Sequence, residues 1–159
     1  MTDEIPPNLK TFIETFADAP DTLEAWSEGF EKMKEQTAMG VHDFSLVDVA
    51  EDHLTLEMPM GDHARQVAGI LHGGISMVLA ETAASMHACW GIDVTERMPV
   101  GIEINGTHLA SATDGTIRAR AEVLNRGYRI IQHRIEIRHV ERDEVLCESR
   151  VTNYYRSAP

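Results

Sequence analysis

The sequence predicts an α+β protein in which a strongly curved antiparallel sheet wraps around one long buried helix, with extra helices at the N-terminus. Three observations support this fold class. Apolar residues recur every three or four positions before residue 40, almost every side chain is apolar or small from Ile75 to Trp90, and apolar residues alternate with polar ones in several other segments. A helix that is apolar on most sides needs cover, which strands with one apolar face can supply.

The N-terminal residues 1–40 contain two helical patterns. The first follows a proline pair that suits a helix start, and the second begins near Asp21 or Thr22 and ends by Gly40. Their apolar faces are Leu9, Phe12, Ile13 and Phe16, then Leu23, Trp26, Phe30 and Met33. We interpret these helices as an extension that packs on the sheet or on a subunit edge; a substrate lid is the alternative.

Residues 41–156 are predicted to form the main domain. The apolar period becomes alternating at its start, which predicts a hairpin with a turn at Glu51–Asp52. A glycine-containing loop from Pro59 to Gly74 leads into the buried helix, which should end around Trp90–Gly91. After Pro99, four further alternating segments separated by polar turns predict four strands.

Composition argues against several classes of function. With 26 acidic and 14 basic residues the formal net charge is −12, which repels polyanions and argues against a nucleic-acid partner. No apolar run reaches the roughly 20 residues that span a bilayer, and the first ten residues lack the basic start and apolar core of a signal peptide. We therefore expect a cytoplasmic protein without a membrane partner.

The cysteines and histidines do not indicate a metal site. Cys89 and Cys147 show no Cys-x-x-Cys spacing, so both are predicted to be buried free thiols. The eight histidines nowhere form a metal-ligand spacing with a nearby acid, and His63, His87 and His108 are weak functional candidates. We predict neither a metal ion nor another cofactor.

His72, Gly73 and Gly74 lie where the loop meets the long helix. A helix N-terminus presents unpaired N–H groups and a partial positive charge, and the two glycines leave no side chain over it. The Gly73 N–H could therefore polarise a carbonyl, as an oxyanion hole does. A tight turn into the helix is the simpler interpretation of the same residues.

Glu81 lies two turns into this apolar helix. A carboxylate without a partner in an apolar interior costs several kcal/mol, so an ordinary core is not expected to hold one. Ser85 follows four residues later on the same face, where its hydroxyl can reach the carboxylate or a water beside it. A carboxylate satisfied by a buried hydrogen bond is the structural alternative, and we favour a functional role.

Four features of the loop and helix follow one another at spacings of six, nine and four residues: Gln66, His72–Gly74, Glu81 and Ser85. This set resembles the active-site signature of hotdog-fold acyl-CoA thioesterases. The branch concerned contains the Arthrobacter-type 4-hydroxybenzoyl-CoA thioesterases, the phenylacetate-pathway thioesterases and the enterobactin-proofreading thioesterase. Val100–Leu109 followed by Gly115 also resembles its third strand and next turn, and the resemblance covers about residues 40 to 156.

The resemblance implies a hotdog domain assembled as a homodimer or as a tetramer made of two dimers. It implies hydrolysis of an acyl-CoA thioester at the subunit interface, where Glu81 of one subunit faces Gln66 and Gly73 of the other. Glu81 would be the nucleophile or the general base, and the Gly73 N–H would polarise the thioester carbonyl. Gln66 and His72 would help to hold that carbonyl, and Ser85 would position water or the carboxylate.

The same resemblance places substrate contacts at Gly74, at His108 and at arginines near the CoA phosphates. Many relatives carry Gly-Arg at the start of the fifth strand, whereas this chain has Asn125–Arg129, so Arg126 and Arg129 are both candidates. The helical N-terminus is also longer than the usual single leading helix.

Two other functions are compatible with a hotdog fold. A dehydratase or hydratase would use a histidine and an acid for proton transfer on a hydroxyacyl or enoyl thioester, but its histidine would lie in a proline-rich context that this chain lacks. A non-catalytic acyl-CoA-binding module would bind thioesters without turnover. The sequence leaves open the acyl group, the choice between nucleophile and base, and the choice between dimer and tetramer.

Overall fold

The computed structural model describes residues 5–35 and 37–158, and these form a six-stranded antiparallel sheet curved around one long helix. The helices are α1 (Pro7–Phe16), α2 (Leu23–Lys34), α3 (Ala38–Val41) and α4 (Gly73–His87), with a 3₁₀ turn at Asp62–Ala64. The strands are β1 (Ser45–Ala50), β2 (His53–Pro59), β3 (Arg97–His108), β4 (Thr116–Arg126), β5 (Ile130–His139) and β6 (Glu144–Ser157). The predicted α+β hotdog architecture is confirmed.

The strand order is β1-β2-β4-β5-β6-β3, so β3 occupies one edge of the sheet although it precedes β4 in the chain. Its only strand partner among the described residues is β6, with Val100 opposite Tyr154 and His108 opposite Cys147. Most of β3 from Gly101 onward is exposed. A long strand with one unpaired edge is a ready template for pairing with another chain.

Burial alternates along β5, as expected for a sheet with one covered face. Ile131, Ile135 and Ile137 are fully buried, while Arg134 between them is exposed. The buried faces pack against α4, whose small residues Ala80, Ala83 and Ala84 are also fully buried. Small side chains allow the helix to lie close to the sheet, and the inner face of the sheet therefore fixes the orientation of α4.

The sequence analysis was wrong about the surroundings of Glu81. We expected α4 to be covered on most sides with Glu81 in its interior, but in the single chain Glu81 is exposed and its neighbours Val78 and Ser85 are only partly buried. The sheet covers the opposite side, through residues such as Leu79 and Ala83. The apolar composition of the helix concealed this asymmetry because alanine and glycine fit equally well against a sheet and at an open surface.

The predicted hairpin at Glu51–Asp52 agrees with the structure, and so does the end of the second N-terminal helix before Gly40. This helix ends at Lys34. The Thr37 Oγ1 donates hydrogen bonds to the Lys34 carbonyl at 2.8 Å and to the Met33 carbonyl at 3.2 Å. A side chain that satisfies the last carbonyls of a helix stabilises its end, and the separate helix α3 follows.

The N-terminal helices pack on each other, on β1 and on Trp90, which lies just beyond the C-terminal end of α4. Phe16, Trp26 and Phe30 are fully buried, and the Trp26 ring stacks 5.8 Å from that of Trp90. The Trp26 Nε1 donates to the Pro20 carbonyl at 2.7 Å, so its polar atom is satisfied. Residues 1–4 of the predicted extension lie outside the described residues, and the division into 1–40 and 41–156 stays a prediction.

Cys89 and Cys147 are buried and free, as the sequence predicted. No helix in residues 5–35 and 37–158 has the length and apolar character needed to cross a membrane.

Candidate active site

The predicted catalytic residues are divided between two cavities of the same chain. A cavity of about 380 Å³ contains Glu81 and Ser85, and we name it the Glu81 cavity. A second cavity, of about 440 Å³, contains Gly73, Gln66 and His108, and we name it the Gly73 cavity. Gly73 and Glu81 are eight residues apart on α4, which corresponds to about 12 Å along the helix axis. One chain therefore does not bring the carboxylate and the helix start together.

The Glu81 carboxylate lies against β3 at Gly101. A Cβ atom added to Gly101 would come 2.5 Å from the Glu81 Oε1, which is too close for a real Cβ contact. A glycine at this position therefore leaves the space that the carboxylate occupies. Sequence analysis missed Gly101, because nothing in the sequence alone indicates which β3 residue lies beside Glu81.

Ser85 is held by an asparagine that the sequence analysis also missed. The Asn153 Nδ2 donates a hydrogen bond to the Ser85 Oγ at 2.8 Å, and Asn153 is fully buried on β6. Because the Ser85 oxygen accepts this hydrogen bond, the Ser85 hydroxyl hydrogen remains free to donate to another group. No hydrogen bond between Ser85 and Glu81 forms among the described residues. The Asn153 Oδ1 is buried without a partner in the described part of the chain. The sequence did contain a signal for Asn153, because an amide side chain at a buried position of the last strand needs a hydrogen-bond partner.

Gly73 is the first residue of α4 and offers a free backbone donor. Its N–H has no acceptor within residues 5–35 and 37–158, as expected for a donor in the first helical turn. The next amide, that of Gly74, donates to the Nδ1 of His72 at 2.9 Å, so His72 caps the helix through its ring. Of the two glycine amides, only that of Gly73 remains available to a carbonyl oxygen in the Gly73 cavity.

Gln66 and His108 flank this free amide. The Gln66 Oε1 accepts from the Ala68 N–H at 2.7 Å, which fixes the loop and leaves the amide NH₂ group as a donor toward the cavity. A Cβ atom added to Gly73 would come 2.7 Å from the His108 Nε2, so this imidazole lies directly over the helix start. Glycine at 73 therefore leaves room for both the imidazole and an approaching carbonyl.

Four arginines form no ion pair with a carboxylate in the described residues, and they lie at one end of the sheet: Arg97, Arg126, Arg129 and Arg156. Every other arginine of the chain is within 4.0 Å of an acidic side chain. Three of the four, Arg97, Arg129 and Arg156, line a cavity of about 330 Å³ together with Glu96. A grouping of unpaired guanidinium groups in an acidic protein is suited to bind an anion.

Two members of this arginine group already have structural partners. Arg126 donates to the Trp90 carbonyl at 2.9 Å and to the Glu51 carbonyl at 3.5 Å. Arg97 donates to the Tyr128 carbonyl at 2.7 Å and lies 4.9 Å from the centre of the Tyr155 ring. Arg129, by contrast, forms no side-chain hydrogen bond among the described residues.

A pair of buried histidines lies outside both cavities. The His87 Nε2 faces the Ala50 carbonyl at 2.9 Å, and the His87 Nδ1 lies 2.8 Å from the His133 Nε2. The carbonyl can only accept, so His87 carries its hydrogen on Nε2 and its Nδ1 accepts from His133. Burial lowers the pKa of His87 to about 4 and that of His133 to about 3. Both rings are neutral near pH 7 and serve the structure.

A curved antiparallel sheet around one long helix is the hotdog fold, and comparison with known proteins assigns this chain to the thioester hydrolases of that fold. The chain belongs to the thioesterase superfamily, whose family model matches residues 68–146. The 1,4-dihydroxy-2-naphthoyl-CoA hydrolase of Escherichia coli is 35% identical over 125 residues, which cover 79% of this chain and 90% of that protein. The predicted family and enzyme class are confirmed.

Solved structures agree with this assignment. A thioesterase from Haemophilus influenzae superimposes with a TM-score of 0.77 at 30% identity, covering 82% of this chain and 90% of that one. Two structures of one Staphylococcus aureus protein, named a thioesterase in one of them, are also 30% identical, with TM-scores of 0.72 and 0.74. They cover 74% and 76% of this chain and 97% and 99% of theirs, and they carry alanine in place of a glutamine and of a glutamate, respectively.

Proposed function

We propose that this protein hydrolyses acyl-CoA thioesters to the free acid and CoA, at sites that two copies of the chain build together. The observation that carries the proposal is the division of the site residues: Glu81 opens onto one cavity and the free Gly73 N–H onto another. Each cavity holds what the other lacks. The relatives named as CoA-thioester hydrolases support the substrate class.

The free edge of β3 offers a way to unite the two cavities. On this strand Gly101 lies beside the Glu81 carboxylate, and His108 lies beside Gly73. Gly101 and His108 are about 24 Å apart at the rise of an extended strand. If two β3 strands pair antiparallel about a two-fold axis at Asn105, the β-bulge between Gly101 and Glu103 brings Gly101 of one copy opposite the partner subunit's His108. A homodimer built in this way would form two equivalent sites, and two such dimers could form a tetramer.

In the proposed site the thioester carbonyl accepts a hydrogen bond from the Gly73 N–H and approaches the partner's Glu81. As a general base, Glu81 would take a proton from water while the water oxygen bonds to the carbonyl carbon. The amide would stabilise the oxyanion, and its collapse would break the C–S bond and expel CoA, whose thiolate regains the proton. As a nucleophile, Glu81 would bond to the carbon itself and break the C–S bond, so that CoA leaves as the thiolate and an anhydride forms. Water would then cleave the anhydride to the free acid and the Glu81 carboxylate, with the released proton going to the thiolate.

The remaining predicted site residues support this chemistry from both sides. Asn153 orients the Ser85 hydroxyl beside the carboxylate, and the NH₂ group of Gln66 adds a donor near the carbonyl. His72 and Gly74 contribute by capping the helix and so fixing the direction of the Gly73 N–H. We place no metal ion or cofactor in this reaction.

The arginine group is the proposed site for the CoA phosphates. Arg129 and Arg156 are exposed and bind no carboxylate among the described residues, and they line the same cavity. Arg126 is held by two backbone carbonyls, so we expect it to add positive charge while Arg129 contacts phosphate directly. In a chain with a net charge of −12, this positive patch would steer an anionic cofactor thioester to one end of the sheet.

The Staphylococcus aureus structures add support for the two polar residues. The glutamine and the glutamate that were replaced there are fifteen positions apart, which is also the separation of Gln66 and Glu81. The replacement of a glutamine and a glutamate at this spacing in a thioesterase is consistent with a functional glutamine–glutamate pair.

The test is a thiol-release assay on aryl, short-chain and long-chain acyl-CoAs with the wild type and a Glu81→Gln variant. We expect Glu81→Gln to lower turnover at least about a hundredfold, since it removes the principal base or nucleophile. Glu24→Gln is the matched control, because Glu24 is exposed in the first turn of α2 and lines neither cavity. Full activity in Glu81→Gln, or binding of acyl-CoA without any cleavage by the wild type, would contradict the proposal and favour a binding module.

A further inference from the structure

One wall of the Glu81 cavity comes from the N-terminal extension. Phe12 of α1 and the segment Thr37–Met39 face the cavity, opposite residues of α4. These residues precede the part of the chain that the superfamily model matches, which begins at residue 68. The wall is therefore supplied by residues outside the segment that the superfamily model matches.

The opposite wall is a stripe along α4. Val78, Thr82 and Met86 are four residues apart and so lie one above another on the same face, beside Glu81. The Thr82 Oγ1 donates to the Val78 carbonyl at 2.7 Å, so its hydroxyl hydrogen is already used. The Thr37 hydroxyl on the facing wall is likewise bonded to backbone carbonyls.

Beyond Glu81 and Ser85, the cavity consequently offers mostly apolar surface. Phe12, Met39 and Val78 are only partly buried although they pack against the core, so they present apolar area to the cavity. Apolar walls without an unused hydroxyl suit a hydrocarbon or an aromatic ring. The carboxylate lies at the border of this apolar space, where the carbonyl of an enclosed acyl group would meet it.

The extension is fixed in place, which makes Phe12 a wall and not a mobile lid. The Phe12 ring packs 5.1 Å from Phe16, and Phe16 packs 4.7 Å from Trp26. Helices α1 and α2 also approach closely at Gly29, where an added Cβ would collide with the Thr15 methyl group. A wall held by buried aromatic rings limits how far an acyl group can extend.

We propose that Phe12 and Met39 determine acyl specificity by forming one wall of the Glu81 cavity, which favours a compact acyl group, an aryl ring or a chain of moderate length over long chains. This inference rests on the proposed thioesterase function. The cavity of about 380 Å³ lies at the small end of the usual range for ligand pockets. The N-terminal extension is thus the element that adapts a common fold to a particular substrate.

The test compares kcat/KM for benzoyl-, hexanoyl- and dodecanoyl-CoA in the wild type, Phe12→Ala and Phe12→Trp. We expect Phe12→Ala to raise the dodecanoyl-to-hexanoyl ratio at least about tenfold, because one or two methylene groups in an apolar pocket already change kcat/KM by that factor. Phe12→Trp should lower the same ratio. Leu23→Ala is the matched control, since Leu23 is an exposed apolar residue of the same extension that does not line the cavity.

The two Phe12 variants are expected to shift the ratio in opposite directions, which separates a pocket effect from loss of folding. Loss of folding would lower kcat/KM for all three substrates together. Ratios within about threefold of the wild type in both variants would overturn the inference. So would a change of the same size in Leu23→Ala. If Glu81→Gln abolishes hydrolysis while both Phe12 substitutions leave the dodecanoyl-to-hexanoyl ratio unchanged, the thioesterase proposal stands and only the specificity role fails.

Discussion

The Glu81 cavity and the Gly73 cavity differ in the chemistry that they offer, although the same helix contributes to both. The first holds a carboxylate, a positioned hydroxyl and apolar walls. The second holds a free backbone N–H, an amide NH₂ group and an imidazole, with no carboxylate among its lining residues. The carboxylate of the Glu81 cavity can activate water or attack a carbonyl carbon, and the N–H of the Gly73 cavity can polarise the carbonyl. The contrast teaches that neither is a complete active site.

The geometry of the two glycines follows the same division. Gly101 makes room for a side chain that carries charge, whereas Gly73 makes room for an imidazole and exposes a backbone donor. Substituting each one should therefore damage a different half of the reaction.

The largest effect is expected from Gly101→Ala. The added methyl group would collide with the Glu81 Oε1 at 2.5 Å and push the carboxylate away from β3. We expect a drop in kcat of about a hundredfold, because displacing a catalytic group by about 1 Å has consequences of that size. Steady-state kinetics on the best acyl-CoA would measure it.

Gly61→Ala is the control for this change, since a Cβ at Gly61 meets nothing within 4 Å. Equal kcat values for Gly101→Ala and the wild type would mean that the carboxylate does not act from the position against β3.

A smaller effect is expected from Gly73→Ala, which keeps the N–H but places a methyl group 2.7 Å from the His108 Nε2. We expect kcat/KM to fall about tenfold, by crowding the approach to the donor. If the imidazole is the obstacle, adding His108→Ala should restore part of the loss, and the double-mutant cycle measures this coupling. Strictly additive losses would argue that His108 does not limit access to the helix start.

The smallest effect on catalysis, but a clear one on stability, is expected from pH acting on His87 and His133. Their folded pKa values, about 4 and about 3, lie below the unfolded value of 6.5, so the unfolded chain binds more protons between these limits. Stability is therefore fully present above about pH 6.5 and falls as pH decreases toward 4, by about 1.4 kcal/mol per pH unit for each histidine. Both cavities should share this loss, because His87 anchors the end of their common helix.

Urea unfolding at pH 7.5, 6.0 and 5.0 would measure the slope. A His133→Asn variant removes one titrating group and should flatten the slope below pH 6.5. An unchanged slope would show that His133 does not titrate on unfolding in this range.

The sequence predicted those parts of the molecule that depend on local pattern. The Glu51–Asp52 hairpin, the long helix and its glycine start follow from periodicity and turn chemistry, and the spacing of Gln66, Glu81 and Ser85 indicated the thioesterase family. Arg129 lies among other arginines that form no ion pair in the described residues, and its role at the CoA phosphates stays a prediction.

The sequence could not predict contacts that arise from strand order. Asn153 reaches Ser85, and Gly101 borders Glu81, only because β6 and β3 are neighbours at one edge of the sheet. For the same reason the exposure of Glu81 was not predictable: it depends on which side of α4 the sheet covers. The position of Phe12 in the Glu81 cavity likewise depends on how the extension folds back, which helical periodicity does not determine.

The central claim is that a working site combines Glu81 of one chain with Gly73 of another, and subunit complementation tests it directly. Glu81→Gln and Gly73→Val chains would carry different affinity tags, be coexpressed, and be purified as the mixed species. If the site spans two chains, the mixed dimer keeps one intact site of two and should show about half of the wild-type turnover, although each parent is nearly inactive. Activity no higher than the mean of the two parents would contradict the claim, because it would place both groups of each site on one chain.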